Sequence, residues 1–173
     1  MSEHGAKKYF GKYRGTVLNN LDPLQEGRIQ VQVPDVTGLV PGSWATPCLP
    51  AAGIQNGLYT VPPIGALVWV EFERGDPDAP IWVGGFWGSG AEVPALARTV
   101  PPGLSGFTLG TTLGHSLVVG DAPGPAGGIL LKSPTGATLI VNDTGIYLQN
   151  GKGASLVMTG PTVTINNGAL VVV

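Results

Sequence analysis

The sequence predicts an all-β protein in two parts, a small barrel followed by a ladder of short strands. Three observations carry this expectation. Short segments alternate apolar and polar residues with a period of two, and the C-terminal half repeats itself. Gly (28) and Pro (16) make up about a quarter of the 173 residues, which favours turns over helices. Only 12% of residues are charged while 43% are apolar, a balance that excludes a disordered chain. The formal charge of −2 and pI near 5.5 leave no electrostatic footprint for nucleic acid or an anionic membrane. Cys48 is the sole cysteine, so an intrachain disulfide is impossible, which suits a reducing cytoplasm. The opening MSEHGAKKYF lacks a signal-peptide core, and no apolar run approaches the ~20 residues that cross a bilayer.

The first strand patterns are Tyr13 to Asn19 (YRGTVLN) and Gly27 to Val33 (GRIQVQV), joined by the turn-rich NNLDPLQE. In the second, Ile29, Val31 and Val33 share one face, with Arg28, Gln30 and Gln32 on the other. A third strand, Trp44 to Leu49, precedes a loop rich in Gly and Pro. The fourth, Ala66 to Glu73 (ALVWVEFE), is closed by the turn Gly75-Asp76-Pro77-Asp78, and the fifth is Ile81 to Trp87. Five short strands with no helical period fit a closed barrel of the OB type.

The runs RGTVLNNLDPLQEGRIQVQVP and PPIGALVWVEFERGDPDAPIWVGGFW resemble the OB-fold of the phage baseplate assembly protein V family. That family includes the corresponding part of type VI secretion spikes. The resemblance rests on Asp22-Pro23 ahead of Gly27-Arg28, Pro63 to Gly65 ahead of the fourth strand, and Gly75-Asp76-Pro77 ahead of Ile81-Trp82-Val83-Gly84. It covers residues 12–88 in order.

Residues 89–107 lack periodicity and read as a connector, after which the only formal charges are Asp121, Lys132, Asp143 and Lys152. LGHSLVVGDA at 113–122 recurs as TGATLIVNDT at 135–144, an offset of 22, with an echo in GKGASLVMTG from 151. A finer step runs through Ile129, Ala137, Ile146, Ala154, Thr162 and Leu170, spaced 8, 9, 8, 8 and 8. Its companion column is Leu131, Leu139, Leu148, Leu156, Thr164 and Val172. Octad strands turned by Gly and Asn mark a β-solenoid. One chain winding alone would leave its strand edges unpaired, so three chains are expected to wind together, pairing strands between chains around an apolar axis. The expected fold is therefore an N-terminal OB-fold barrel followed by a C-terminal intertwined triple-stranded β-helix in a homotrimer. The GHSLVV and TGATLIV motifs also resemble the start of the spike β-helix in the same family. The expected boundaries are 1–11 for a flexible N-terminus, 12–88 for the barrel, 89–107 for the linker and 108–173 for the spike. The trimer core is expected at Leu131, Leu139, Ile146, Leu148 and Leu156. A strict octad would turn Thr162 and Thr164 inward, whereas a one-residue slip at Pro161 would bury Val163 and Ile165; the slip is favoured because burial prefers the apolar set.

No catalytic, cofactor or metal site is expected. His115 with Ser116 and Asp121 has the residue types of a nucleophile and base, but His115 aligns with Ala137 in the repeat and reads as a surface histidine, as does His4. Asp121 and Asp143 read as Asx turns. Glu71, Glu73, Asp76 and Asp78 form an acidic cluster, with Glu71 and Glu73 on the solvent face of strand four. The lysozyme domain that some family members carry would need far more chain. Trp69, Trp82, Phe86 and Trp87 read as core or packing rather than stacking platforms, because Arg28 and Arg74 are too few to follow phosphates. Many spikes of the family end in a His-x-His pair that holds iron, but nothing after His115 is His or Cys.

The chain ends in the uncharged ALVVV, and solenoids need a cap. The resemblance implies that Ala169, Leu170, Val171, Val172 and Val173 dock a separate PAAR-type tip protein. It further implies a baseplate hub protein bound at the barrel end and transient contact with the target cell envelope. The implied function is that of the central spike of a contractile injection machine, assembled in the host cytoplasm as part of a virion tail or tail-like particle. The rival reading is an OB-type binding module for nucleic acid or oligosaccharide, which leaves the ladder without a use.

Overall fold

The computed structural model describes residues 7–172, with Val171 described in its backbone alone. His4 and the first part of the expected flexible N-terminus lie outside the described residues, as does Val173. The chain divides into two units, Met1–Gly88 and Ser89–Val173.

The first unit contains β1 (Tyr13–Asn19), β2 (Ile29–Gln32), α1 (Pro34–Thr37) and β3 (Trp44–Pro47). It continues through β4 (Ala52–Gly53), β5 (Asn56–Gly57), β6 (Leu67–Phe72) and β7 (Pro80–Phe86). Five of these strands close into a barrel in the order β1-β2-β3-β7-β6, and β6 returns to pair with β1. β3 and β7 are parallel, while the other barrel pairs are antiparallel. Alternation sets the barrel wall. Val68, Val70 and Phe72 point into the core with Val17, Ile29, Val31 and Val33, and Leu67, Trp69 and Glu71 point outward. β-Branched side chains dominate this interior, as a strongly curved sheet favours. Trp82 is also inside, and its indole N–H donates to the carbonyl of Gly27 at 3.1 Å.

The register between β6 and β7 shifts between Trp69 and Val70, so that Trp69 faces Gly84 and Val70 faces Trp82. This bulge reverses the facing of the end of β7. Phe86 therefore emerges on the outer wall against Trp69, with ring centroids 4.7 Å apart, while Trp87 is exposed. Of the four aromatics read as core or packing, Trp82 alone enters the core. Glu71 is on the outer face and pairs with Lys12, but Glu73 has left the strand for the 3-10 turn Glu73–Gly75. Tyr9 packs against Phe72 and Tyr13 and donates its backbone N–H to Gly75 at 3.0 Å, so the barrel begins ahead of residue 12. Gly75 has φ +74, and a Cβ there would lie 3.0 Å from the Tyr9 nitrogen.

The β1–β2 loop is organised by one carboxylate. Asp22 accepts the backbone N–H groups of Leu24, Glu26 and Arg28, and the Arg28 guanidinium reaches its Oδ1 at 2.6 Å. The side chain is nearly inaccessible to solvent. The guanidinium, assisted by those N–H groups, holds the Asp22 carboxyl well below the usual carboxylate range.

The second unit opens with two 3-10 turns, Gly90–Glu92 and Ala95–Thr99. Its strands are β8 (Gly106–Gly110), β9 (Ser116–Gly120), β10 (Gly128–Lys132) and β11 (Thr138–Asn142). They are followed by β12 (Gly145–Gln149), β13 (Ser155–Thr159), β14 (Thr162–Ile165) and β15 (Leu170–Val172). β8 begins inside the stretch read as a connector. Each strand pairs with its sequence neighbour, antiparallel, in one eight-stranded sheet. The sequence reading has these strands pairing between chains, but in the described chain the pairing is internal. The physical reason is the tight turns, which side chains close locally: Asn142 Oδ1 accepts the N–H of Thr144, and Asn150 Oδ1 accepts those of Lys152 and Ala154. Val100 lies against Gly120, covering the β9 end of one face where Val118 and Ala122 are buried.

Because the folded-state titration of Asp22 lies below the unfolded one, its stabilising effect is complete above the unfolded value of about 3.9 and fades as the pH falls below it. Asp22→Ala is therefore expected to lower the barrel's melting temperature at neutral pH, and the gap from the parent should narrow in acid. Thermal melts along a pH series check this.

Candidate functional site

Consecutive side chains of a strand point to opposite faces, and the antiparallel registers fix which residues stand side by side. On one face of the sheet they form two columns, each taking one residue per strand. Leu109, Leu117, Leu131, Leu139, Leu148, Leu156, Ile165 and Leu170 make the first. Phe107, Val119, Ile129, Val141, Ile146, Met158, Val163 and Val172 make the second. No polar residue interrupts either. Most members are exposed in the single chain, Leu148 by 50% and Leu109 by 58%. At a strand spacing of about 4.8 Å, the eight strands make this apolar strip about 34 Å long. Soluble monomers rarely leave so large a continuous apolar surface in water.

The opposite face is mixed. Val118, Leu130, Ile140, Tyr147 and Val157 run down its middle, flanked on one side by Ser116, Lys132, Thr138, Gln149 and Ser155. Thr138 and Ser155 have hydroxyls without a hydrogen-bond partner. Lys132 is the lone charged residue on the sheet's strands, since Asp121, Asp143 and Lys152 stand in turns.

The five residues expected in the trimer core, Leu131, Leu139, Ile146, Leu148 and Leu156, all lie on the apolar face. The octad column through Ile129 and Ile146 is only half right. Ala137 and Ala154 sit in turns, and Leu170 and Val172 each belong to the other column. Equal spacing would align a column of parallel strands, whereas neighbours running in opposite directions align residues whose numbers have a constant sum. Near Pro161 the slipped register is the one formed. Val163 pairs with Met158 and Ile165 with Leu156 on the apolar face, leaving Thr162 and Thr164 on the other. The described residues among those expected to dock a tip run from the turn before β15 into that strand. Ala169 follows the turn Asn166–Gly168, Leu170 and Val172 are exposed on the apolar face, and Val173 lies outside the described residues.

Two family models match the chain. Residues 13–87 match the type VI secretion system/phage-baseplate injector OB domain, and residues 106–171 match the phage baseplate V C-terminal trimerisation domain. The chain belongs to the phage baseplate V family. The comparison with curated proteins returns no significant match. Membership makes this baseplate V chain a homotrimer with a structural, spike-type role in a baseplate, and a component of a phage tail or related injector.

Within this baseplate V fold the residues with the types for chemistry do not converge. Ser116 Oγ donates to the carbonyl of Gly114 at 3.4 Å, while exposed His115 donates its backbone N–H to Thr111 Oγ1. Asp143 accepts the N–H of Gly124, and Asp76 accepts that of Asp78, both in turns. Among the described residues no group of three or more His, Cys, Asp or Glu is placed to hold a metal ion, and no helix is long and apolar enough to cross a membrane.

Proposed function

We propose that three copies bury the apolar sheet face against one another and so build the shaft of a central spike. The uninterrupted pair of columns in a trimerisation domain is the observation that supports this reading. Full burial of a large aliphatic side chain is worth roughly 1.5–3 kcal/mol. Covering a half-exposed column pair therefore contributes on the order of 10 kcal/mol per chain before association costs. The barrels would attach to the baseplate hub, and the shaft would carry thrust into the target envelope when the machine contracts. A shaft whose strands are hydrogen-bonded to both neighbours resists unzipping along its length. The final strand, β15, has a neighbour on one side alone in the chain, and a PAAR-type tip protein would cover that end together with Leu170 and Val172. The rival binding-module reading gives the sheet face no role. Assembly would take place in the host cytoplasm.

In light scattering the parent protein is expected at three times 17.7 kDa. Leu148→Asp should abolish that trimer, because three carboxylates would lose hydration on an apolar axis at several kcal/mol each, whereas His115→Ala should leave it intact. The reverse pattern would refute the inward face. Val163→Asp is expected to be as damaging as Leu148→Asp, and Thr164→Asp to cost less than about 1 kcal/mol in denaturant titrations of the trimer. Removing residues 169–173 should leave a trimer that no longer captures the PAAR-type protein in a pulldown. Undiminished capture would move the docking site elsewhere.

A further inference from the structure

We infer that Asn56, in the β4–β5 hairpin, is a site of spontaneous amide loss, where the chain converts to aspartate and isoaspartate through Gly57. The inference concerns the first unit alone and does not rest on the spike reading.

An asparagine followed by glycine can close a succinimide ring, because glycine has no side chain to shield its nitrogen. The Gly57 backbone nitrogen attacks Asn56 Cγ and a C–N bond forms. The side-chain nitrogen leaves as ammonia, carrying the proton that Gly57 gives up. Water then opens the ring at either carbonyl, leaving aspartate or a main chain rerouted through the side chain as isoaspartate. The reaction needs water, an unencumbered amide and a backbone able to rotate.

The sequence holds three Asn-Gly pairs, and the fold treats them differently. Asn150 is tethered through its side chain. Its Oδ1 accepts the N–H groups of Lys152 at 2.8 Å and Ala154 at 3.0 Å, and turning toward Gly151 breaks both bonds. Gly151 is itself packed, since a Cβ there would lie 2.6 Å from the Thr135 carbonyl oxygen. Asn167 is restrained through its backbone. At φ 55 and ψ 33 the Gly168 nitrogen points away from the Asn167 side chain, and the turn is closed by the Ala169 N–H on the Asn166 carbonyl. Asn56 has neither restraint. It is exposed, and its side-chain amide makes no hydrogen bond in the chain. Leu58 donates its N–H to Ala51 at 3.0 Å, so Ala52 and Gly57 form the intervening pair without ladder bonds, and the Gly57 nitrogen faces away from β4. A hairpin with two residues per strand that joins no other sheet is marginal in water, and its local opening gives the rotation that ring closure needs.

The product differs from the parent in charge and in chain length. No charged residue occurs from position 36 to 70, so the new carboxylate is the first in that stretch. Isoaspartate also adds a methylene to the main chain opposite Gly53, in strands too short to absorb it. Conversion therefore undoes the hairpin and leaves the barrel closed, because β4 and β5 are not barrel strands.

The test incubates the full chain in warm, mildly alkaline buffer, folded and in strong denaturant. Trypsin then places the three pairs in separate peptides, 29–74, 133–152 and 153–173. Mass spectrometry reads amide loss at each asparagine, and labelling by an isoaspartyl methyltransferase reads isoaspartate. In the folded protein Asn56 should convert at close to its denatured rate, while Asn150 and Asn167 convert at least about tenfold more slowly than their own denatured rates. Asn56→Gln should remove the signal from peptide 29–74 and leave the melting temperature unchanged. Protection of Asn56 equal to that of the other two overturns the inference, as does a lack of protection at all three. Amide loss that persists in peptide 29–74 of Asn56→Gln assigns the reaction to another residue and overturns it as well.

Discussion

A sheet face with no polar side chain along eight strands cannot remain in water, and the second unit is arranged around that constraint. Hydrogen bonds within the sheet satisfy the backbone but cover neither face. The mixed face has partial answers: Val100 lies on Gly120, and hydroxyls, amides and one lysine flank its apolar centre. The other face has none inside the chain. Sheets pack about 10 Å apart through interdigitating side chains, and paired columns of Leu with Ile, Val and Met have the evenness that such packing needs. In the proposed shaft symmetry would supply the complement, because three identical strips around an axis would present the same residues at each level.

The barrel answers a different constraint. Its interior is closed by valines, Ile29, Phe72 and Trp82, and it needs no second copy to be dry. Its polar work is done in the loops. One nearly inaccessible carboxylate gathers the β1–β2 connection, and the turn after β6 is locked by backbone bonds from Asp76 to Glu73 and Ala79 to Asp76. The bulge opposite Trp69 places an aromatic pair outside rather than inside. A chain with few charges thus still orders its loops, with an Asp22–Arg28 pair in one and backbone hydrogen bonds in the other.

Much of this was legible in the sequence, and the losses have physical causes. Barrel strands could be read because each alternates strictly, so Val68, Val70 and Phe72 announce their own face. Leu131, Leu139, Leu148 and Leu156 could be read because their spacings of 8, 9 and 8 fit octads and antiparallel hairpins equally well. That coincidence hid the error at Ala137 and Ala154, where the two geometries diverge. The bulge that exposes Phe86 leaves no mark beyond two glycines, and the β4–β5 hairpin is too short to show a period. β8 was missed at Gly106 because a glycine at a strand's start reads as linker. The β1–β2 loop was marked by Asp22-Pro23 and Gly27-Arg28, and the reason for that spacing, a guanidinium returned to the carboxylate, became visible in three dimensions alone.

The strictly local pairing of the sheet has a consequence for how the molecule is made. Each strand finds its partner a few residues away, so contact order in this unit is low and the meander should form rapidly in a lone chain. The slow step is then an encounter between finished sheets, whose rate rises steeply with concentration. Until that encounter the nascent protein carries a long greasy strip and two free strand edges, the features that drive off-pathway association. With so few charges to keep chains apart, biogenesis becomes a race between ordered threefold closure and clumping, and synthesis of the chains close together in space favours closure.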